Sequence, residues 1–200
     1  MTSLPSLAPR PDTALVETAE RMLRAASPDA LVAHCHRTYA FAEAILARRG
    51  LAPDREALYL GAVFHDLGLT PDWDDQVTPF EERGALVARE TLLREGADPE
   101  LAELVGDAVR LHMELTTGDD PRPEVAGIHL GSAADVLGLR LEEIPPDAVD
   151  AVLEAYPRQG LTAFLREAFA SEARRKPNCA TAAFVRDFGF LELLDGGPGE

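Results

Sequence analysis

The sequence predicts an all-α fold in a single-domain helical bundle, and three observations support this fold class. Apolar residues recur three and four positions apart along most of the chain, which is the spacing of one helix face. Residues that start or stop helices flank these segments, and little strand signal separates them. The chain has 200 residues, 46% of them hydrophobic, which is enough for one sizeable core and short for two.

The expected helices follow one another with short Pro-, Gly- or Asp-containing connections, as in compact bundles. They cover residues 13–26, 27–50, 54–68, 78–96, 98–115, 122–138, 146–156, 161–176 and 178–194, the last interrupted at Gly189. Residues 1–12 are expected to be a disordered N-terminal tail, and residues 13–195 the domain.

Helix boundaries rest on specific start and stop residues. In the second helix Pro28 occupies the first turn and a glycine follows the end. The fourth helix is predicted to open with a capping box formed by Thr78 and Glu81. The fifth uses Asp98 as its cap, and the sixth closes at Gly138.

Composition and charge restrict the partners. The net charge of −16 argues against nucleic acid and, more weakly, against an anionic membrane surface, because both would be repelled. The longest apolar run, "ALYLGAVF", is far too short to span a bilayer. Cys35 and Cys179 form no CxxC pair and are expected to be reduced thiols. We therefore expect a soluble cytoplasmic protein with a small-molecule substrate, and a homo-oligomer stays open.

Histidine and aspartate side chains interrupt the apolar faces of four predicted helices. Helical periodicity points five of them inward: His34, His65, Asp66, His112 and Asp135. His129 borders the same surface, whereas His36 should face away. Any one of them alone is typical of a hydrogen-bonded core residue. Their coincidence favours a divalent cation between the central helices, which would neutralise the carboxylates.

The order of these residues resembles the H…HD…D signature of the HD-domain superfamily of metal-dependent hydrolases. "HCHRTY" and "FHDLGLT" are similar to its opening and HD segments. "FEERGALVA", "AVRLHMELTTG", "PEVAGIHLGSAADVLG" and "RRKP" resemble the cyanamide hydratase-like branch. The resemblance implies an all-helical fold with a metal held by His34, His65, Asp66 and Asp135.

The resemblance leaves the number of metals open. One metal is favoured, with solvent and substrate completing its shell. A second metal would take His112 and His129 as ligands. Two imidazoles and two carboxylates suit zinc, iron or manganese, and we expect one divalent metal, with zinc favoured.

Such a site predicts a hydrolase or hydro-lyase that uses a metal-activated water. Asp66 would accept a proton from that water and return it to the product, and His112 would orient the substrate or stabilise developing charge. By resemblance to the hydratases, water would add across the C≡N bond of a small nitrile such as cyanamide, giving urea.

Other functions remain open on the sequence alone. A phosphohydrolase acting on a nucleotide or another phosphate monoester needs cations, yet the motifs offer little beyond Arg37, and Lys176 is the only lysine. A binuclear iron oxygenase needs both His112 and His129. A helical binding protein with a vestigial metal is the non-enzymatic alternative.

Two further residues have ambiguous roles near the predicted pocket. Arg37 would either act in the site, by clamping a phosphate or pairing with a ligand carboxylate, or form a structural ion pair, and the two interpretations are about equally supported. Trp73, in the acidic loop "PDWDDQ", is favoured as a packed aromatic in a solvated turn, with a lid over the pocket as the alternative.

Overall fold

A computed structural model describes residues 9–198, and its helices confirm the all-α fold class. The helices are α1 (Ala14–Ala26), α2 (Asp29–Arg48), α3 (Arg55–Phe64), α4 (Phe80–Arg94), α5 (Pro99–Leu111), α6 (Pro123–Leu137), α7 (Pro146–Ala155), α8 (Leu161–Arg175), α9 (Ala180–Phe188) and α10 (Phe190–Leu193). Gly189, in the left-handed conformation, separates the last two, as predicted. Residues 1–8 of the expected tail lie outside the described part of the chain.

Helix α3 occupies the centre of the bundle, and every residue from Ala57 to Phe64 is buried. Helices α1, α2, α4, α5 and α6 pack around it. The most extensive contact between two helices joins α2 to α6, and it requires a glycine. A Cβ atom at Gly131 would lie 2.2 Å from the carbonyl oxygen of Thr38. The close approach of these two helices brings Asp135 on α6 next to His34 on α2.

Helices α8, α9 and α10 form a second apolar cluster together with the start of α4. Its buried members are Phe80, Leu161, Leu165, Phe169, Phe190 and Leu194. In the described part of the chain, no helix combines the length and apolarity needed to cross a membrane.

Two helices end earlier than predicted. Helix α3 stops at Phe64 instead of continuing to Gly68, and α5 stops at Leu111. After α3 the chain passes so close to α4 that a Cβ atom at Gly68 would lie 2.1 Å from the Phe80 carbonyl oxygen. As a consequence, His65 and His112 directly follow their helices, at the C-cap position.

The predicted capping box at the start of α4 is wrong. Thr78 instead bonds Asp75, through its backbone N–H at 2.7 Å and its hydroxyl at 2.7 Å. The cap comes from a distant helix, because Glu172 of α8 accepts the Phe80 N–H at 2.9 Å. A residue 92 positions away cannot be found from local sequence patterns.

Glu172 also belongs to a buried ion network that holds the loop before α4. The Lys176 ammonium lies 3.0 Å from Glu172 and 2.8 Å from Asp74, and it donates to the Thr78 carbonyl at 2.6 Å. Burial opposes the charge of Lys176, but the hydrogen bonds to Asp74 and Glu172 raise its pKa. The only lysine of the chain therefore fastens the acidic loop to α8.

Candidate metal centre

The dipeptide His65–Asp66 lies where the chain leaves α3. His65 is still helical, whereas Asp66 has φ −107° and ψ 6°. Within a regular helix, adjacent side chains diverge by about 100°. The change of backbone direction lets both side chains face the same point, with Nε2 of His65 3.4 Å from Oδ2 of Asp66. The early end of α3 thus makes two adjacent residues usable in one site.

His65 and His112 are held in the same way at two helix ends. The Nδ1–H of His65 donates to the Ala62 carbonyl at 2.7 Å, and that of His112 to the Val109 carbonyl at 2.6 Å. Because a carbonyl only accepts, each Nδ1 carries the proton and each Nε2 presents its lone pair to the site. This arrangement is the usual orientation of a metal-binding imidazole.

Three ligating groups converge: His34, His65 and Asp66 each offer an atom within 4.8 Å of the others, and all three are buried. Nε2 of His34 lies 3.1 Å from Nε2 of His65 and 3.3 Å from Oδ2 of Asp66. Two imidazole nitrogens facing each other beside a carboxylate repel one another unless a proton or a metal cation lies between them. Nitrogen and oxygen donors of this kind fit a divalent metal such as zinc.

The protonation of His65 and Asp66 favours cation binding. Burial opposes the charge of His34, but its hydrogen bonds to Asp135 and Asp66 raise its pKa. Burial, together with repulsion from His34 and His112, lowers the pKa of His65 to about 3 despite the attraction of Asp66. His65 is therefore neutral. Burial works against the carboxylate of Asp66, yet the surrounding histidines hold its pKa well below the usual range.

Asp135 contacts the Nδ1 side of the His34 imidazole, whereas Nε2 of the same ring faces His65. Oδ2 of Asp135 accepts hydrogen bonds from Nδ1–H of His34 at 2.6 Å and from Nη2–H of Arg37 at 2.9 Å. Its Oδ1 accepts hydrogen bonds from Nε–H of Arg37 at 2.7 Å and from Nη1–H of Arg158 at 2.8 Å. Arg158 also donates to the Asp135 carbonyl. Both carboxylate oxygens are thus engaged, and Asp135 orients His34 in this geometry. Its role as a metal ligand stays a prediction, because the three-residue group does not include it.

A cavity of about 260 Å³ opens above the three ligating groups. Its floor is polar: His34, His65, Asp66 and His112. The walls are mainly apolar: Met113, Leu115, Ala133, Val136, Leu137, Leu139, Leu165, Phe169, Phe184 and Phe190, with His129 and Ser132 as the remaining members. Among the described residues that line it, none is an arginine or a lysine.

Of the three further residues predicted near the pocket, the structure places one in the cavity lining and two outside it. His129 lines the cavity, and its Nδ1–H donates to the His112 carbonyl at 2.9 Å. Arg37 does not line it, because the side chain is fully buried and bonded to Asp135 and to the Tyr156 and Pro157 carbonyls. Trp73 packs against the main hydrophobic core, outside the lining.

His36 differs from its predicted position. It points away from the ligating groups, but it is buried rather than facing solvent. Its Nε2 lies 2.7 Å from Glu20, which also accepts the Tyr59 hydroxyl at 2.6 Å. Helix α1 packs over this face of the bundle, which helical periodicity within α2 alone could not indicate.

Arg158 was not found by sequence reasoning. It lies in the loop between α7 and α8, and it is buried against Asp135. The segment "YPRQG" carries no periodic signal, so nothing local distinguishes this arginine from a solvated one.

The comparisons with known proteins agree with this geometry. The sequence profile of the HD domain matches residues 31–153, more than half of the chain, and the chain therefore belongs to the HD domain family. HD domains bind divalent metals. Cyanamide hydratase DDI2 and cyanamide hydratase DDI3 of Saccharomyces cerevisiae (strain ATCC 204508 / S288c) are each 27% identical to the chain over 138 residues. The alignment covers 68% of this chain and 61% of each relative.

The predicted membership of the HD superfamily is thus confirmed, and the two relatives agree with the cyanamide hydratase-like branch. The chain spans about three fifths of the length of these relatives, because the alignment covers 61% of each.

Proposed function

We propose that the protein is a metal-dependent hydratase that adds water to a small neutral molecule carrying a nitrile, as in the conversion of cyanamide to urea. The observation that carries the proposal is the convergence of His34, His65 and Asp66 within 4.8 Å of one another, at the floor of a cavity whose described lining contains no arginine or lysine. The two relatives, which are named as cyanamide hydratases, support the choice of a nitrile.

His34, His65 and Asp66 would hold the metal, and Asp135 either joins them or orients His34. Zinc is favoured, because the donors are imidazole and carboxylate groups in a buried site. When bound, such a metal lowers the pKa of a water molecule towards roughly 7 and supplies the nucleophile at neutral pH.

Asp66 and His112 are the groups placed to handle protons. Oδ1 of Asp66 lies 3.6 Å from Nε2 of His112, on the side of the carboxylate that does not face His34. Both atoms accept hydrogen bonds, so together they can hold a proton taken from water and return it to the nitrile nitrogen. His112 cannot turn away, because its Nδ1–H is bonded to the Val109 carbonyl.

A phosphohydrolase fits this cavity less well. Phosphate recognition relies on arginine or lysine donors, and none lines the cavity in the described part of the chain. Arg37 and Arg158, which are buried, are bonded to Asp135. A binuclear iron oxygenase would require His112 and His129 to join the ligands, and neither belongs to the group of converging atoms.

Metal analysis and a product assay test the proposal together. Tag-free protein should contain about one zinc per chain by plasma mass spectrometry, and His65→Ala should lose that metal and the release of urea from cyanamide. His36→Gln is the matched control. It should lower the free energy of unfolding, because it weakens the contact with Glu20, but the protein should keep its metal. A metal-loaded protein that left cyanamide and simple nitriles unchanged but hydrolysed phosphate esters would refute the proposal.

A further inference from the structure

The walls of the cavity differ in chemistry from its floor. Four helices contribute the apolar walls: Val136 and Leu137 from α6, Leu165 and Phe169 from α8, Phe184 from α9 and Phe190 from α10. Phe169 and Phe190 are in contact, with ring centroids 5.1 Å apart. The walls therefore form a continuous apolar surface that reaches down to the ligating groups.

The polar groups on these walls are few, and most of their hydrogen-bonding atoms are engaged. The Ser132 hydroxyl donates to the His129 carbonyl at 3.1 Å, and the Nδ1–H of His129 donates to the His112 carbonyl at 2.9 Å. Nε2 of His129 is left as the one free imidazole nitrogen on the described walls. A ligand with polar atoms along its whole length would leave most of them without partners, which is costly in a buried site.

The size of the cavity is also larger than cyanamide requires. One water occupies about 30 Å³ in the liquid, so a molecule with three non-hydrogen atoms fills well under half of about 260 Å³. Its amino group, directed away from the floor, would meet the apolar walls. Size and polarity thus both disagree with cyanamide as the best ligand.

We propose that the substrate carries an apolar group of about the size of a phenyl ring on the amino nitrogen next to the reacting carbon, and that the walls bind this group. The nitrile as the reacting group rests on the proposed function, whereas the apolar group rests on the walls alone. The reaction would be the addition of one water to R–NH–C≡N, giving R–NH–CO–NH₂. The water oxygen bonds to the nitrile carbon, its two protons end on the former nitrile nitrogen, and no group leaves.

Binding of the expected products tests the apolar group independently of the nitrile chemistry. Isothermal titration of the metal-loaded protein should show phenylurea binding at least roughly tenfold more tightly than urea, the lower range for an added apolar group in a fitting pocket. Equal affinity for phenylurea and urea would overturn the inference, whichever nitrile is hydrated.

Two replacements of alanine by phenylalanine test whether the cavity walls bind the phenyl group. Ala133→Phe places a ring inside the cavity, because Ala133 is one of the wall residues, and it should weaken phenylurea binding at least about tenfold by filling that space. Ala163→Phe makes the same change on an exposed position of α8 and should leave the affinity unaltered. Phenylurea binding that survives Ala133→Phe would contradict the assignment of the walls.

Turnover then distinguishes a failure of the inference from a failure of the function. Phenylcyanamide should be hydrated with a higher kcat/KM than cyanamide. If phenylurea binds as expected but neither nitrile reacts, the apolar subsite stands and the nitrile chemistry falls. If cyanamide is the better substrate and phenylurea gains no affinity, the function stands and the apolar subsite falls.

Discussion

Replacement of Asp135 by asparagine should destabilise the protein even when no metal is bound. The carboxylate neutralises Arg37, whose side chain is fully buried, and Arg158, which is also buried. An amide has no charge to offer either guanidinium, and its NH₂ group would face their donors. Removing one partner of a buried ion pair costs about 3–5 kcal/mol, a large part of the roughly 5–15 kcal/mol that stabilises a typical domain.

The measurement is urea unfolding, followed by far-ultraviolet circular dichroism, with a chelator present for both wild type and Asp135→Asn. Asp150→Asn, at an exposed position of α7, is the control and should stay within about 0.5 kcal/mol of wild type. A metal-free Asp135→Asn protein within about 1 kcal/mol of the wild type would refute the reasoning. It would indicate that Asp135 acts through the metal and not through the two arginines.

Three more perturbations test the packing around the site. Glu172→Gln should cost about 2 kcal/mol in urea unfolding, because it removes one of the two carboxylates of the buried Lys176. Glu20, whose pKa is lowered from 4.5 to about 2 by hydrogen bonds that outweigh its burial, should stabilise the fold fully above pH 4.5. The stability difference between wild type and Glu20→Gln should therefore shrink as the pH falls from 4.5 towards 2, and a constant difference would contradict this. Gly131→Ala should lower the melting temperature sharply, since the new Cβ would lie 2.2 Å from the Thr38 carbonyl oxygen, and overpacking costs about 1–3 kcal/mol.

The helices and the inward direction of the ionisable residues could be predicted from the sequence, because both depend on local spacing. His34, His65, Asp66, His112 and Asp135 all lie buried, as their positions on apolar stripes indicated. The order of these residues also carried the resemblance to the HD superfamily. A helical period of 3.6 residues is a property of the backbone, so it is readable without any tertiary contact.

Only the tertiary structure decided how these groups meet. Local patterns extended α3 and α5 past His65 and His112, whereas the structure ends both helices there and thereby turns each Nε2 towards the site. Arg158 and Glu172 act on partners far away in the chain, one on Asp135 and the other on the start of α4. The sequence by itself therefore determined the fold class and the burial of His34, His65, Asp66, His112 and Asp135. The tertiary structure decided their orientation and the apolar cavity above them, because contacts between distant helices have no local signature.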